Sequence, residues 1–342
     1  AWYYSLWKTK NLILKSLFMK FPLYFSVCLL LVFAGCDLFT NEQPEIPGKL
    51  VFSTPDGNGH YQIYTSLTNG ENRKKLTHFK NDQAYSPSWS PDGKQIVFGR
   101  TTPTTSPGYY ISIMNADGSD KQQLEGEFDG RVVNVVGDHP KWSPDGNKIA
   151  YDQCINCELG GGNSEIFMYD LKNKSITQIT DTLSDDSNPL WNENENRISF
   201  NSDREYFATE DRRLDQDLFD ILPDGTGLRK ITTDGKTGFW LWDSNTESYL
   251  IKRNSNPILW YSLDPVSKDT IDLPQITCLT QSVMNDFVPL EFSKDGKILW
   301  TIKLQYPVFN FYFFYFKTKD FKKGLQIENI SGFDWYYNEN DF

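Results

Sequence analysis

The sequence predicts an all-β fold built from six copies of one four-stranded unit, and three observations lead to this prediction. Aromatic residues make up 15% of the 342 residues, and strand-forming runs alternate with clusters of Gly, Pro, Asn and Asp. An aromatic residue precedes each of a series of tight turns, with a spacing of about 50 residues between successive aromatics. A short apolar run, typical of a buried strand, follows each turn.

The turns themselves indicate hairpins. In "SWSPDGKQIVF", residues 88–98, Pro91 fixes φ, Asp92 favours a turn and Gly93 tolerates a positive φ. The pattern returns as "KWSPDGNKIAY" at 141–151, and as "LWNENENRISF" at 190–200 with Asn and Glu in the turn. Each segment therefore joins the first and second strands of a repeated unit.

The repeat predicts a ring. The aromatic residues before the turns are Trp89, Trp142, Trp191, Trp242, Phe292 and Trp335. Four strands at this period are typical of a β-propeller blade. The first copy begins at its second strand, whereas the chain stops after a lone first strand, "GFDWYYN". We therefore predict a six-bladed β-propeller of four-stranded antiparallel blades over residues 48–342, closed by pairing of the N- and C-terminal strands; an open solenoid is the alternative.

The N-terminal region predicts export and a lipid anchor. Residues 19–36, "MKFPLYFSVCLLLVFAGC", have the basic start, apolar run and small residues of a secretory signal. The ending "VFAGC" resembles a bacterial lipobox, in which Cys36 becomes the lipidated first residue. We expect residues 1–35 to hold an over-extended start and the signal peptide, with Met19 as the true start, and residues 36–47 to form a tether. The alternative is an uncleaved anchor, although its apolar run is short for a span.

The charge excludes one class of partner. The formal net charge is −11, and cleavage before Cys36 would remove four lysines and no acid, which gives −15. Phosphate contacts need clustered Lys and Arg, so we expect no nucleic-acid partner.

The repeats resemble a known family. "SPSWSPDGKQIVF" and "PKWSPDGNKIAY", with "IMNADG" and "KKLT", are similar to the WD-type repeats of the TolB-like propellers. The resemblance covers residues 48–342, but the units of Trp191 and Trp242 lack Pro-Asp-Gly, and no segment resembles the α/β domain of TolB. The resemblance implies a monomeric propeller in the bacterial cell envelope, on the periplasmic side or at the surface, that binds a protein or peptide.

We expect the binding site at one end of the ring. Long loops on a rigid scaffold carry binding residues. The long loops, which define the loop-rich face, lie opposite the Pro-Asp-Gly corners, at residues 99–109, 125–140, 152–164, 181–189, 201–216 and 233–239.

The candidate rim of the channel consists of residues at this face that precede a first strand. They are Tyr85, Asp138, His139, Asp185, Asp186, Asn188, Phe239, Trp240, Asp286 and Phe287. Acidic and aromatic side chains suit a cationic or peptide-like ligand. The alternative is that these side chains only cap the crossings between blades.

Motifs for catalysis are few. The sequence has no Gly-x-Ser-x-Gly motif, and its three histidines, His60, His78 and His139, lie in separate loops. We therefore expect a non-catalytic binding scaffold without a cofactor. The alternative is a hydrolase or lyase that acts on a sugar or lactone at the channel mouth, assisted by a calcium ion held by Asp185, Asp186 and Asn188.

Two further segments have structural interpretations. Cys154 and Cys157, in "CINC", are expected to form a small-loop disulfide or to stay reduced, because a redox pair would need a helix start beneath it. Cys278 has no evident partner. The aromatic run "YPVFNFYFFYF", residues 306–316, is interpreted as a buried strand.

Overall fold

The computed structural model consists of strands and their connections over the residues that it describes. These are residues 48–101, 109–155, 162–205, 216–243, 246–253, 259–268, 270–271, 287–292, 298–305, 308–315, 320–330 and 332–336. Within these ranges there is no helix of the length and apolarity that a bilayer crossing requires.

The described strands form six sheets, numbered I to VI along the chain. Sheet I contains β1 (Lys49–Pro55), β2 (Tyr61–Leu67), β3 (Lys74–Lys75) and β26 (Gly332–Tyr336). Sheet II contains β4 (Gln83–Trp89), β5 (Gln95–Thr101), β6 (Tyr110–Asn115) and β7 (Gln122–Gln123). Sheet III contains β8 (Glu125–Phe128), β9 (Arg131–Asn134), β10 (Asp138–Trp142), β11 (Lys148–Ile155), β12 (Asn163–Asp170) and β13 (Ser175–Gln178).

The second half of the chain forms the other three sheets, each with four strands. Sheet IV contains β14 (Asp186–Asn192), β15 (Arg197–Ser202), β16 (Asp217–Ile221) and β17 (Arg229–Lys230). Sheet V contains β18 (Thr237–Asp243), β19 (Ser248–Arg253), β20 (Leu259–Leu263) and β21 (Thr270–Ile271). Sheet VI contains β22 (Phe287–Phe292), β23 (Ile298–Gln305), β24 (Val308–Tyr315) and β25 (Asp320–Glu328).

Sheet I combines the two ends of the described chain. β1 pairs with β26 in an antiparallel register that runs from Lys49 opposite Tyr336 to Ser53 opposite Gly332. This sheet also contacts sheet VI, because the Phe311 and Phe333 rings lie 5.6 Å apart at a right angle. Phe311 is fully buried, in agreement with the interpretation of its segment as a core strand.

Each sheet that can be followed in detail buries both of its faces. In β5, Ile96 and Phe98 pack against sheet I, whereas the intervening Val97 packs against sheet III. In β11, Ile149 packs towards sheet II and the next residue, Ala150, packs towards sheet IV. Alternate side chains of a strand point to opposite faces, so each of these sheets needs an apolar neighbour on both sides.

The tryptophans at the ends of the first strands of sheets III and IV also link neighbouring sheets by hydrogen bonds. The indole of Trp142 in sheet III donates to the carbonyl oxygen of Ser88 in sheet II, 3.3 Å away. The indole of Trp191 in sheet IV donates to the carbonyl oxygen of Lys141 in sheet III at the same distance. In these two sheets the tryptophan thus provides both apolar burial and a polar contact to the sheet before it.

The first strands of sheets I, II and III meet at a common axis. Asp334 in β26 accepts hydrogen bonds from the Trp89 main-chain N–H (2.7 Å) and the Ser88 hydroxyl (3.0 Å) of β4. Its other carboxylate oxygen lies 3.3 Å from the ammonium group of Lys141 in β10. These polar contacts tie three successive sheets together where their first strands converge.

The Ser-Pro-Asp-Gly corner is held by its own side chains. Asp92 accepts hydrogen bonds from the Ser90 hydroxyl (2.7 Å) and the Lys94 N–H (3.0 Å), and the Ser90 hydroxyl in turn accepts from the Gln95 N–H (2.9 Å). Ser143 and Asp145 repeat this arrangement in sheet III. The motif is therefore local turn chemistry, as the sequence predicts.

Sheet III differs from the predicted four-stranded antiparallel unit. The sequence predicts a crossing loop over residues 125–140, but the structure forms the hairpin β8–β9 within them. Its tip, Asp129-Gly130, has φ values of 50° and 73°, the conformation of a type I′ hairpin turn. β8 then pairs in parallel with β13, Glu127 opposite Ser175, and extends the sheet to six strands. The prediction of four antiparallel strands is therefore wrong for this sheet.

A buried ionic network joins sheets IV and V. The fully buried Asp220 accepts hydrogen bonds from Arg197 Nε (2.6 Å), Arg229 Nε (2.8 Å) and the Tyr249 hydroxyl (3.0 Å). Burial raises the pKa of Tyr249 well above its usual value, and the charge of Asp220 raises it further. The carboxylate therefore has charged or polar partners on both of its oxygens, which offsets its desolvation.

This network lies where sheet IV lacks Pro-Asp-Gly. Asn192 occupies the position that Ser90 has in sheet II, and its amide donates to the Tyr249 hydroxyl, 2.5 Å away, instead of closing a local turn. Ser199 contacts the same hydroxyl at 2.6 Å. Contacts between sheets thus replace the local contacts of the usual corner.

Replacement of Asp220 is expected to test this network. Asp220→Ala would leave Arg197 buried without its carboxylate, which typically costs about 3–5 kcal/mol in the free energy of unfolding. Urea denaturation at constant pH would measure the change. As a control, Asp224→Ala removes an exposed turn carboxylate of the same sheet and is expected to leave the midpoint nearly unchanged. Equal effects of the two substitutions would contradict the role given to Asp220.

Candidate functional site

At the loop-rich face, the first strands of sheets II, III and IV share one irregularity. Each contains a β-bulge, and the residues within the bulges are Ser86, His139 and Asn188. Their φ values are 47°, 50° and 57°, in the left-handed region that non-glycine residues seldom adopt. A proline follows each of them, and proline cannot donate to a ladder, so it is accommodated at a bulge. Successive sheets therefore present equivalent residues at the same height.

A hydrogen-bonded chain connects these three positions. The Ser86 hydroxyl donates to Asp138 Oδ1 (2.8 Å), which also accepts the His139 main-chain N–H (2.8 Å). His139 Nδ1 lies 2.8 Å from Asp152 Oδ2, and this oxygen accepts the Asn188 main-chain N–H at 2.8 Å. We call these five residues the rim chain. It brings together three predicted rim residues, Asp138, His139 and Asn188.

Gly137 permits the close approach on which the rim chain depends. A Cβ atom at this position would lie only 2.3 Å from the Asp152 carbonyl oxygen and 2.5 Å from a ring carbon of Tyr151. Only glycine fits there without a shift of the backbone of β11. The absence of a side chain at Gly137 therefore lets Asp138 and His139 lie beside Asp152.

His139 carries a positive charge at neutral pH. Burial of the ring by itself lowers the pKa, but the hydrogen bond to Asp152 and the charges of Asp152 and Asp138 outweigh burial and raise the pKa of His139 to about 9. The side chain is 44% exposed, and Nε2 lies 4.0 Å from Asp138 Oδ2. The rim chain therefore presents a partly exposed imidazolium between two carboxylates.

Three tyrosines extend the rim onto sheets I and II. The ring centroids of Tyr61 and Tyr85 are 5.0 Å apart, and those of Tyr85 and Tyr109 are 5.3 Å apart. Burial, assisted by the neighbouring tyrosines, raises the pKa of Tyr85 to about 12, and burial together with the charge of Asp138 raises the pKa of Tyr109. All three rings are half-buried. We call them the tyrosine cluster.

Tyr61 and Tyr109 are absent from the residues predicted from sequence. The prediction considered only residues next to a first strand, and of the three tyrosines only Tyr85 belongs to one, β4. Tyr61 is the first residue of the third strand β2, and Tyr109 directly precedes the third strand β6; both strands begin at the same face. An aromatic residue after the second loop of each unit, in "GHYQIY" and "GYYISI", is the signal that could have found them.

Other polar side chains at this face are used by the fold. Gln62, Glu165 and Asp217 begin the third strands of sheets I, III and IV and are almost fully buried. Each accepts one hydrogen bond from a threonine hydroxyl and one from a main-chain N–H of the following crossing. The donors to Gln62 are Thr77 and Phe79, those to Glu165 are Thr180 and Thr182, and those to Asp217 are Thr232 and Gly235. For these three residues the capping of crossings accounts for the polar group.

The three predicted calcium ligands turn to separate partners. Asp186 is buried and accepts from Arg204 Nη2 at 2.8 Å, while burial raises its pKa. Asp185 accepts the Ser164 N–H at 3.0 Å, and the amide of Asn188 donates to Ser187 at 3.3 Å. In the part of the chain that the structure describes, no group of three or more His, Cys, Asp or Glu side chains is placed to hold a metal ion.

Of the remaining predicted rim residues, only Trp240 has a side chain that the structure describes. Trp240 donates to Asn201 Oδ1 at 2.8 Å and packs on Tyr249 with a centroid distance of 6.1 Å, so it lies at the contact between sheets IV and V. Phe239 and Phe287 lie in β18 and β22, where their side chains are outside the described part, and Asp286 and Cys36 lie outside the described residues altogether.

The structure describes only one of the two cysteines in the predicted Cys154–Cys157 pair. Cys154 in β11 is disulfide-bonded. Cys157 and Cys278 lie outside the described residues. The pairing of Cys154 with Cys157 therefore stays a prediction.

Comparison with known proteins identifies the architecture. No family model matches the chain. TolB from Acinetobacter baumannii superposes with a TM-score of 0.59 and 15% identity, over 84% of this chain and 66% of that one. The fold is an all-β propeller. An oligogalacturonate lyase in complex with manganese is also similar (TM-score 0.54, 16% identity), over 82% of this chain and 73% of that one.

A third similar structure is a chain of a nidogen/laminin complex, with a TM-score of 0.53 and 10% identity, over 84% of this chain and 98% of that chain. At such low identities the likeness shows the fold alone, and propellers host many unrelated functions. This propeller spans 66% of the TolB chain, slightly less than two thirds of its length. Any activity or partner of this chain therefore depends on the side chains of its own rim.

The raised pKa of His139 predicts a pH-dependent contribution to stability. The pKa in the folded protein exceeds the ordinary value of 6.5, so the stabilisation by the imidazolium is complete below about pH 6.5 and is lost as the pH rises through about 9. We expect the unfolding free energies of the unsubstituted chain and of His139→Asn to converge over that interval. Denaturation curves at a series of pH values would measure this.

An NMR titration of the His139 ring provides the control. Its midpoint is expected at about 9, and Asp152→Asn is expected to lower it by removing the charge and the hydrogen bond. A midpoint at 6.5 that does not respond to Asp152→Asn would contradict the imidazolium.

Proposed function

We propose that this chain is an exported, lipid-anchored protein of the bacterial envelope whose propeller is a non-catalytic scaffold that binds a protein or peptide at the loop-rich face. In this proposal Cys36 carries the lipid and residues 36–47 tether the propeller. The six sheets are six blades of a closed ring. The pairing of β1 with β26 and the contact between sheets VI and I support closure.

The observation that carries the proposal is the continuity of the tyrosine cluster with the rim chain. Tyr109 lies close enough to Asp138 for the carboxylate to raise its pKa, and Asp138 is in turn bonded to Ser86 and close to His139. Side chains of sheets I, II and III thus form one surface, partly exposed and held on strands. Rigid aromatic rings provide contact area at little cost in conformational entropy.

The chemistry of this surface suits an extended peptide. The hydroxyls of Tyr61 and Tyr109 and the imidazolium can donate hydrogen bonds to main-chain carbonyl groups, whereas the Tyr85 hydroxyl donates to Gln83 Oε1 (2.6 Å). Asp138 can accept from an amide or pair with a basic side chain. Neutral tyrosine faces also attract cations. A partner of this kind would be bound by a few central aromatic residues surrounded by polar contacts, the usual distribution of energy at a protein interface.

One observation favours a catalytic alternative. His139 is hydrogen-bonded to Asp152 and its side chain is 44% exposed, so its imidazolium could serve as a general acid for a sugar or lactone substrate. Calcium held at the loop-rich face would belong to this alternative. Metal analysis of the purified protein discriminates between the two, because a tightly held stoichiometric ion would support the enzyme.

Site-specific photo-crosslinking in intact cells is expected to support the scaffold. A benzophenone amino acid in place of Tyr61 should give one discrete adduct, whereas the same residue in place of Val266, 73% exposed on the opposite face, should give none. Tyr85→Ala should reduce the adduct about tenfold or more, as expected for loss of a central aromatic residue.

Two outcomes would contradict the binding scaffold. One is an equal yield of adducts from positions 61 and 266. The other is a yield from position 61 that does not change with Tyr85→Ala, provided that the variant unfolds at the same temperature as the unsubstituted chain.

A further inference from the structure

Most of the outer sheet edges that can be compared in detail are short and polar. In sheets I, II and IV the outermost strand has only two residues, and these are Lys74–Lys75, Gln122–Gln123 and Arg229–Lys230. Charged and amide side chains on short edge strands hinder pairing with a strand of another molecule. These three edges are therefore protected.

The outer edge of sheet III lacks this protection. β9 has four residues, Arg131–Asn134, and all four are exposed. Val132 is 76% exposed and Val133 is 37% exposed, two of the few large apolar side chains that the described residues leave in solvent. β9 is the last strand of its sheet in the described part of the chain. An exposed apolar edge is a site where another strand can pair.

The hairpin that carries β9 is anchored to the propeller. The Phe128 ring packs on Phe167 with a centroid distance of 6.0 Å, and the Tyr169 hydroxyl donates to the Glu125 carbonyl oxygen at 3.1 Å. Gly126 allows this contact, because a Cβ atom there would lie 2.9 Å from the Tyr169 ring. The edge is therefore held in position by its neighbours.

The hairpin register determines which main-chain groups of β9 point outward. Phe128 and Arg131 close the two-residue turn, so they form a hydrogen-bonded pair, and Gly126 and Val133 form the next one. Val132 and Asn134, which alternate with Arg131 and Val133 along β9, belong to non-hydrogen-bonded pairs and direct their N–H and C=O groups away from β8. Two residues thus offer four main-chain groups at the edge.

We propose that β9 pairs with β9 of a second copy of this chain, antiparallel and about a two-fold axis at Val133. In this register Val132 of one copy lies opposite Asn134 of the other, so their outward main-chain groups form four hydrogen bonds. The two Val133 side chains face each other. The only charged residue of the strand, Arg131, lies beyond the partner strand's Asn134, so no like charges are opposed.

The neighbouring registers are less suitable. A shift by two residues in one direction would place turn residue Gly130 in the ladder. A shift in the other direction would pair Val132 with Val136, which lies beyond the end of β9 and is bridged to Tyr110 of sheet II. The proposed register uses only main-chain groups that the hairpin leaves outward, and a self-complementary edge identifies a second copy as the occupant.

The expected dimer is weak. A four-residue edge buries well under about 1,000 Å², the size below which interfaces are usually transient. The net charge of −11 on each chain adds a repulsion that salt screens. The pairing therefore revises the monomer predicted from sequence towards a dimer that forms at high concentration and is favoured by salt.

Cysteine crosslinking of the full chain tests the register. Facing residues of a non-hydrogen-bonded antiparallel pair have Cα atoms about 4.5 Å apart, within disulfide range. Val133→Cys is therefore expected to give a disulfide-linked dimer under mild oxidation. Val132→Cys would lie diagonally from its counterpart, about 7–8 Å away, and should crosslink about tenfold more slowly or less.

The two variants form a matched pair, because random collision would crosslink Val132→Cys faster than Val133→Cys, whereas the proposed pairing predicts the reverse. Val132 is about twice as exposed as Val133, so crosslinking without pairing would be faster at position 132. The unsubstituted chain, oxidised in parallel, gives the background from the native cysteines. Crosslinking of Val132→Cys as fast as Val133→Cys, or of neither above background, would overturn the proposal.

Sedimentation equilibrium gives a readout that does not depend on a cysteine variant. The unsubstituted chain should self-associate, more strongly at higher salt, and Val132→Lys should abolish the association by charging the edge. A chain that stays monomeric at all concentrations and salt levels would overturn the pairing.

Discussion

The burial of both faces of the sheets whose side chains are described is the constraint on which this structure depends. Ile96, Val97 and Phe98 are consecutive and all fully buried, yet they pack against sheets on opposite sides. Exposure of either face would forgo about 1.5–3 kcal/mol for each large apolar side chain. Each sheet therefore needs two neighbours, and the first strands are drawn together at the axis, where Asp334, Ser88 and Lys141 connect three of them.

Because the strand ends are buried, some polar side chains at the loop-rich face serve the fold, whereas others are candidates for ligand binding. Crossings between sheets run over buried strand ends, so their main-chain N–H groups need acceptors, and Gln62, Glu165 and Asp217 provide them. Asp152 has an intermediate role, because it accepts the Asn188 N–H and also orients His139. His139 and the tyrosine cluster remain partly exposed and are available for a ligand.

Sheet III shows the effect of adding strands to the repeated unit. The hairpin covers the original edge, β13, and leaves an edge of the same length but more apolar, β9. Its turn has a sequence signal, the Asp129-Gly130 pair, which is typical of a type I′ hairpin. The repeat period assigns these residues to a crossing loop, and the prediction therefore gave the local turn chemistry too little weight.

The sequence by itself determined the all-β class, the repeated corner and the first-strand aromatics, because these depend on local turn chemistry and on alternating apolar residues. It also identified Asp138, His139 and Asn188 as neighbours of first strands. Only the tertiary structure decided that a shared Asp152 connects His139 and Asn188, and that Tyr61 and Tyr109 join Tyr85. These contacts join residues of different sheets, and which side chains meet across two sheets depends on the register and packing of both, which no local pattern encodes.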